Sequence, residues 1–459
     1  AYDAKGSRLF VYGGWNDDWL GDMYSLDVGN IVGPPYAITD MYPNMGPVTG
    51  GTDITIVGID FTNTTNIVVR FGNTRAFVDV PGTFITQTKI ACVSPVSKFP
   101  PGDVEVRVSL EGDSFTTTYQ KFSYFPVTNH SHCVMYGPGL LSGCAINEEV
   151  SFMIQARDDN NYNRTTGGDE FSVIINLIGG GEGGENHRLT GVFIEDLENG
   201  RYVVTYKPKY AGKYEIRVDF LGTFGGKAGE LRGSGITIEF PQKASRENNQ
   251  MSGDLVLNTL KADVAYLQKY TEEMAKTVLA RVRDDGWSSD EQVQALMKIK
   301  EALLLIESKA EATTLAVDRC ECIINFLLEK NIVLGGLEEN LHTSKYLWEK
   351  ILREAPQIQN KISPMMRAHN SKIKNDIQGY EQHIQAYKNE LLKSEFYLYA
   401  TGTTRALELI KAAQDLQKEE QATCSKMTHV ANIFDCVREM DDTNRLMKEI
   451  ETLLSDFSQ

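Results

Sequence analysis

Residues 254–284, DLVLNTLKADVAYLQKYTEEMAKTVLARVRD, decide how the chain divides. Leu257, Leu260, Val264, Leu267, Met274, Val278 and Val282 recur three or four residues apart, with polar Thr271 filling one step of the rhythm. That spacing keeps one stripe of an α-helix turned toward a neighbour over many turns. It returns in Ile373, Ile377, Tyr380, Ile384, Tyr387 and Leu391. Residues 254–459 therefore read as an all-α helical-bundle stalk, and everything before 250 as β modules. Burying a large apolar side chain is worth roughly 1.5–3 kcal/mol, so the seam Leu257, Leu260, Val264, Leu267, Met274, Val278 demands a cover. Either the chain's own later helices or a helix of another polypeptide would serve. The narrow spacing resembles a seam between paired helices, which predicts that 254–284 packs against another polypeptide.

The bulk numbers agree with several modules. At 459 residues the chain exceeds one core. A formal net charge of −16 argues against a nucleic-acid-binding surface or a polybasic membrane patch. No apolar run approaches the roughly 20 residues that span a bilayer. The sequence opens on Ala1 with no leader pattern, as expected of an internal fragment. The seven cysteines are scattered, with no CxxC pair, which fits reduced thiols in a cytoplasmic setting. Asn63, Asn129 and Asn163 open N-x-S/T triplets, but triplets this short arise by chance.

Taken in order, RLFVYGGWNDDWLGDMYSLDV (8–28) is two strand-like stretches, the first ending at Gly13-Gly14, where glycine turns without a Cβ clash. With its Tyr-x-Leu-Asp ending it resembles a kelch propeller blade. Residues 1–33 are thus expected to be a partial module, the last blade, with its neighbours upstream. Residues 34–126 begin at Gly33-Pro34-Pro35 and alternate Thr52, Ile54, Ile56 against Asp53, Thr55. Together with VVRFG (68–72) and IACVSP (90–95), they resemble an IPT/TIG immunoglobulin-like sandwich. Residues 127–241 hold FMIQARD (152–158) and NGRYVVTYKPKYAGKYEIRV (199–218), period-2 on both sides of a Pro208–Gly212 turn. These resemble a filamin-type immunoglobulin-like repeat, although Gly233-Ser234-Gly235-Ile236 departs from that family's Gly-Ser-Pro-Phe ending. Phe171–Leu177 is its candidate exposed edge strand. A polar stretch, 242–253, reads as a linker. In the stalk, helix breaks are expected at Asp285-Gly286, Gly335-Gly336, Pro356 and Gly402, with starts at Ser288-Ser289-Asp290-Glu291 and Ser363-Pro364.

Several patterns imitate chemistry. Asp159, Asn161, Asn163 and Glu170 have calcium-loop spacing, but Arg164 stands where the tight turn wants glycine. Gly225-Gly226-Lys227-Ala228 lacks a phosphate loop's Ser/Thr, and Gly179–Gly184 has no following helix. His130, His132 and Cys133 have no fourth ligand nearby. No catalytic, cofactor-binding or metal residue is assigned.

The ordered string of kelch blade, IPT/TIG, filamin-type repeat and helical stalk is rare. It resembles the N-terminal tail of an axonemal outer-arm dynein heavy chain of the kelch-bearing alpha type. KYLWEKILREAP (345–356) and ISPMMRAHNSKIKNDIQGYEQHIQAYKNEL (362–391) are similar to dynein tail sequence. The resemblance implies a non-catalytic tail in the axoneme of a cilium or flagellum, with ATP and magnesium belonging to a motor ring outside this chain. It implies assembly with other heavy chains, intermediate and light chains and docking factors. An acidic tail is repelled by an acidic microtubule surface, so the doublet would be reached through other subunits. The alternative is a non-motor cytoskeletal scaffold or kelch/filamin-type adaptor. An extracellular receptor with IPT modules is disfavoured by the missing disulfide pairs and membrane span.

Overall fold

The computed structural model describes residues 1–3, 8–27, 33–179, 187–279, 289–398 and 401–456. It divides into two compact units, one of residues 1–259 with 325–330 and one of residues 260–324 with 331–459. The expected stretches at Gly180–Gly184, Val282, Asp285-Gly286 and Ser288 lie outside the described residues.

The first unit opens with a three-stranded antiparallel sheet, β1 (Tyr2–Asp3), β2 (Arg8–Trp15) and β3 (Trp19–Asp27). The double glycine does not end β2, contrary to the expectation from sequence. Gly13 and Gly14 sit at φ 69° and 147° and form a bulge, and the strand continues to Trp15. The turn falls instead on Asn16–Asp18, with Asp17 at φ 63°. Cross-strand rows place Leu9 beside Leu26 and Val11 beside Tyr24 on one face, and Tyr12 beside Met23 on the other. Both faces are apolar and exposed: Trp19 is 87% accessible, Tyr24 67% and Met23 64%.

Nine strands follow as a sandwich: β4 (Ala37–Tyr42), β5 (Met45–Pro47), β6 (Asp53–Ile59), β7 (Val68–Gly72), β8 (Phe77–Pro81), β9 (Thr83–Thr86), β10 (Lys89–Val93), β11 (Gly102–Ser109) and β12 (Gln120–Phe125). One sheet runs β4-β6-β10-β9 and the other β5-β12-β11-β7-β8. Alternation does what it predicts, since Ile54 and Ile56 are buried while Asp53 is exposed. Phe71, Phe122 and Tyr124 meet edge to face in the core, with Phe122 and Tyr124 centroids 5.0 Å apart.

A second sandwich has sheets β13-β14-β18-β17 and β16-β15-β19-β20, with β21 also on β19. Its strands are β13 (Val134–Tyr136), β14 (Val150–Gln155), β15 (Phe171–Gly179), β16 (His187–Arg188), β17 (Phe193–Asp196), β18 (Arg201–Tyr206), β19 (Gly212–Phe220), β20 (Gly229–Glu230) and β21 (Ile236–Phe240). The departing Gly233–Ile236 stretch keeps the last strand in place. Ser234 Oγ accepts from Val218 N–H at 2.8 Å, and Ile236 pairs with Ile216. The polar 242–253 stretch is docked rather than free. Asn249 bonds the backbone of Ala145 and Glu149, and Asn248 donates to Gly143 C=O.

The helices are α1 (Asp254–Val278), α2 (Ser289–Glu329), α3 (Leu337–Leu392), α4 (Thr403–Ile433) and α5 (Asp441–Asp456). Gly335-Gly336 separates α2 from α3, and Gly402 precedes α4, as expected. Pro356 and Pro364 do not break or start a helix, because α3 runs through both. A helix-interior proline forfeits a hydrogen bond and crowds the carbonyl four residues back, costing about 3 kcal/mol. Burial of Ile351, Ile362 and Met366 around these sites holds the helix on course. The second unit's core joins Met274 and Val278 with Leu296, Ile299, Trp348, Ile384, Phe434 and Ile450, among others.

Leu260, Val264, Leu267, Met274 and Val278 are buried by this chain alone, and Leu257 is half-buried. The expectation that another polypeptide covers this stripe is therefore corrected. Periodicity shows that a face is buried, and here the cover is internal. Val264→Asp with Leu267→Asp is expected to cost more than about 4 kcal/mol, by placing two carboxylates where water is absent. Circular dichroism during thermal melting would read this as early loss of the helical signal. An unchanged helical melt would overturn the internal cover.

Candidate interaction site

The sequence patterns that imitate metal or phosphate sites are occupied by the protein's own groups. Arg157 Nε donates to Asn163 Oδ1 at 2.8 Å and its Nη1 to Asn161 Oδ1 at 3.2 Å, so a guanidinium takes the oxygens that a calcium ion would need. Asp159 Oδ1 accepts from Asn129 and from Lys227 Nζ, both at 2.8 Å. That pairing with Lys227 holds the Asp159 carboxyl below its ordinary range. His130 and His132 each meet a backbone carbonyl through Nδ1, of Glu230 and Asp158 respectively. Burial pushes the Cys133 thiol up to about 12, away from the thiolate a metal would bind. Asn129, an N-x-S/T asparagine, is buried.

What the first unit leaves open is backbone. Leu221 N–H donates to Glu170 C=O, and Ile175 C=O accepts from Leu189 on the opposite side. The alternation of an antiparallel ladder then turns Ser172 and Ile174 toward β19, and Phe171 and Val173 outward. The two-residue β16 covers only Asn176 and Leu177. Among the described residues, the Phe171–Ile174 edge has no ladder partner on that side. An unpaired strand edge can accept an added strand from a partner. The expected edge is thus present over its first four residues and closed over its last.

At the start of this edge lies a wholly buried ion pair. Arg164, 1% accessible, faces Asp169 at 3.4 Å and donates to Thr128 Oγ1 at 3.0 Å and Thr166 Oγ1 at 2.6 Å. Asp169 also accepts from Thr128 Oγ1 at 2.7 Å. Its backbone N–H donates to the Tyr202 hydroxyl at 2.9 Å. Burial raises the Asp169 carboxyl above its ordinary value, against the pull of the Arg164 guanidinium. The Arg164 guanidinium also lies 5.0 Å from the ring of Phe125, the last residue of β12. Sequence reading treated Arg164 only as a misfit in a calcium loop, since its partners lie outside its local pattern.

Comparison with known proteins follows this architecture. Residues 35–124 match the IPT/TIG domain family and residues 127–226 the Filamin/ABP280 repeat family. The flagellar outer-arm dynein alpha chain of Chlamydomonas reinhardtii is 39% identical over 242 residues, 52% of this chain and 5% of that protein. Dynein heavy chain-like protein 2 of Plasmodium falciparum (isolate 3D7) is 25% identical over 207 residues, 45% of this chain and 4% of that protein. The chain thus spans only a small part of the length of these relatives. Among solved structures, the Lin-41 filamin domain is similar at a TM-score of 0.21 and 14% identity, covering 26% of this chain and 99% of that one.

The ladder separates two neighbouring substitutions. Val173→Pro removes an N–H that bonds nothing in β19, so the module is expected to keep a cooperative melt. Ile174→Pro removes an N–H aimed at Arg217 and is expected to unfold the module. Differential scanning calorimetry of the two variants decides, and equal damage from both would refute the free edge.

Proposed function

We propose that this chain, a homologue over about half its length of the flagellar outer-arm dynein alpha chain, is a non-catalytic tail segment of an axonemal dynein heavy chain. The observation that carries the reading is 39% identity over 242 residues, in a chain that also holds a TIG and a filamin domain. Its work is assembly: joining other heavy chains, intermediate and light chains and docking factors in the axoneme of a cilium or flagellum. The microtubule doublet is reached through those subunits, because a chain of net charge −16 is repelled by an acidic lattice. ATP and magnesium belong to a motor ring outside these residues.

The 1–27 sheet supports a finer point of this reading. A sheet apolar on both faces fits a kelch blade flanked on each side by a neighbour, since one repeat cannot bury its own faces. The open Phe171–Ile174 edge supports partner contact through an added strand.

Expressed with a tag in ciliated cells, the chain is expected to enter axonemes. In salt extracts it should co-sediment with outer-arm intermediate and light chains. A chain confined to the cytosol and sedimenting alone would reject the proposal. Titration of the purified chain with magnesium-ATP in a calorimeter is expected to give no saturable heat, and micromolar binding would reject the assignment of nucleotide chemistry elsewhere.

A further inference from the structure

The segment joining the two sandwiches, Pro126–Thr128, is paired rather than free. Lys227 N–H donates to Thr128 C=O at 3.0 Å, His130 N–H donates to Lys227 C=O at 3.2 Å, and Asn129 bridges Lys227 in parallel. Beside it, the turn Thr223–Gly225 carries Phe224 at φ 59° and ψ 20°, in the left-handed region. A side chain is strained there, and glycine would serve the turn better. Gly222 and Gly225, at φ 83° and 74°, already supply that freedom on either side.

The filamin module gives no reason for a phenylalanine at this position. Phe224 is outside that module's core and its side chain is 36% accessible. Its contacts reach across the junction instead. The Phe224 ring meets Phe125 of the TIG module edge to face, centroids 5.3 Å apart and planes at 79°. The Phe224 carbonyl accepts from Thr49 Oγ1, also of the TIG module, at 2.6 Å. A Cβ at Gly168 would stand 2.9 Å from the Phe224 ring, so a bare backbone accommodates the ring from behind. Arg164 lies near Phe125 as well, setting a buried cation beside the same aromatic pair.

We propose that Phe224 is a latch that locks the TIG and filamin modules into one rigid strut. A strained backbone under a ring whose aromatic partner belongs to the neighbouring module points to a conformation kept for that contact. Without the ring, the Thr49 bond, the Arg164–Phe125 contact and the paired connector remain, and the modules swing about the connector.

The test uses the full chain with Thr88→Cys and Glu195→Cys, exposed positions on the TIG and filamin modules, spin-labelled for electron–electron distance measurement. The seven native cysteines are buried. The unaltered latch is expected to give one narrow distance peak. Phe224→Gly relieves the strain, so the filamin module's melting temperature is expected to hold or rise while the narrow peak is lost. Phe125→Ala removes the opposing ring and is expected to broaden the distances in the same way. A narrow peak retained in the variants would overturn the latch, as would a lowered melting temperature with unchanged distances. If Phe224→Gly does not fold, Phe125→Ala alone decides.

Discussion

A guanidinium removed from water is the constraint around which the first unit is arranged. Desolvating an ion costs several kcal/mol, and only partners in fixed geometry offset that cost. Three of the groups around Arg164 stand at joints of the chain. Thr128 ends the connection between the sandwiches, Asp169 precedes β15, and Phe125 closes β12. One side chain therefore touches the end of the connector, the approach to the open-edged strand and the TIG module. The pair is poor as a source of stability, since Arg164 Nε is buried without a partner and the Asp169 carboxyl is raised by burial. An apolar side chain could not make the bonds to Thr128 and Asp169, so the pair ties these positions together through its polarity.

The two units answer the need for apolar cover differently. In the helical unit the stripe from Leu260 to Val278 is closed by the chain itself, and Trp348 adds an Nε1–H bond to Thr314 Oγ1 at 3.0 Å inside the bundle. In the 1–27 sheet, paired rows put tyrosine, leucine and methionine into water on both faces. Among the described residues nothing covers those rows, which is what the proposed kelch-blade reading calls for.

Local periodicity made most of the fold legible. Ile54 and Ile56, Tyr202 to Tyr206, and Ile373 to Leu391 declare strand or helix within a few residues, because burial repeats at two or at three to four. What covers a stripe is a matter of tertiary arrangement, and there the reading of Val264 and Leu267 failed. The prolines of α3 misled for the same reason, as a local penalty was overridden by burial of Ile351, Ile362 and Met366. The double glycine in β2 misled because glycine permits both a turn and a bulge, and only pairing with β3 chooses between them. The junction was illegible altogether. Phe125 and Phe224 are nearly a hundred residues apart, and nothing in either stretch announces the other.

The polar inventory of the first unit points the same way as its homology. Lys227, Asp159, Arg157, His130 and His132 are each engaged with another group of the protein, and most of those bonds tie one loop to the next. Bonds of this kind orient the side chains and knit the loops together. Among the described residues, the first unit also presents a four-residue strand edge and two apolar sheet faces. Strand edges and apolar faces perform no chemistry. Surfaces of this kind suit contact with another polypeptide, which is the contact that the proposed assembly role calls for.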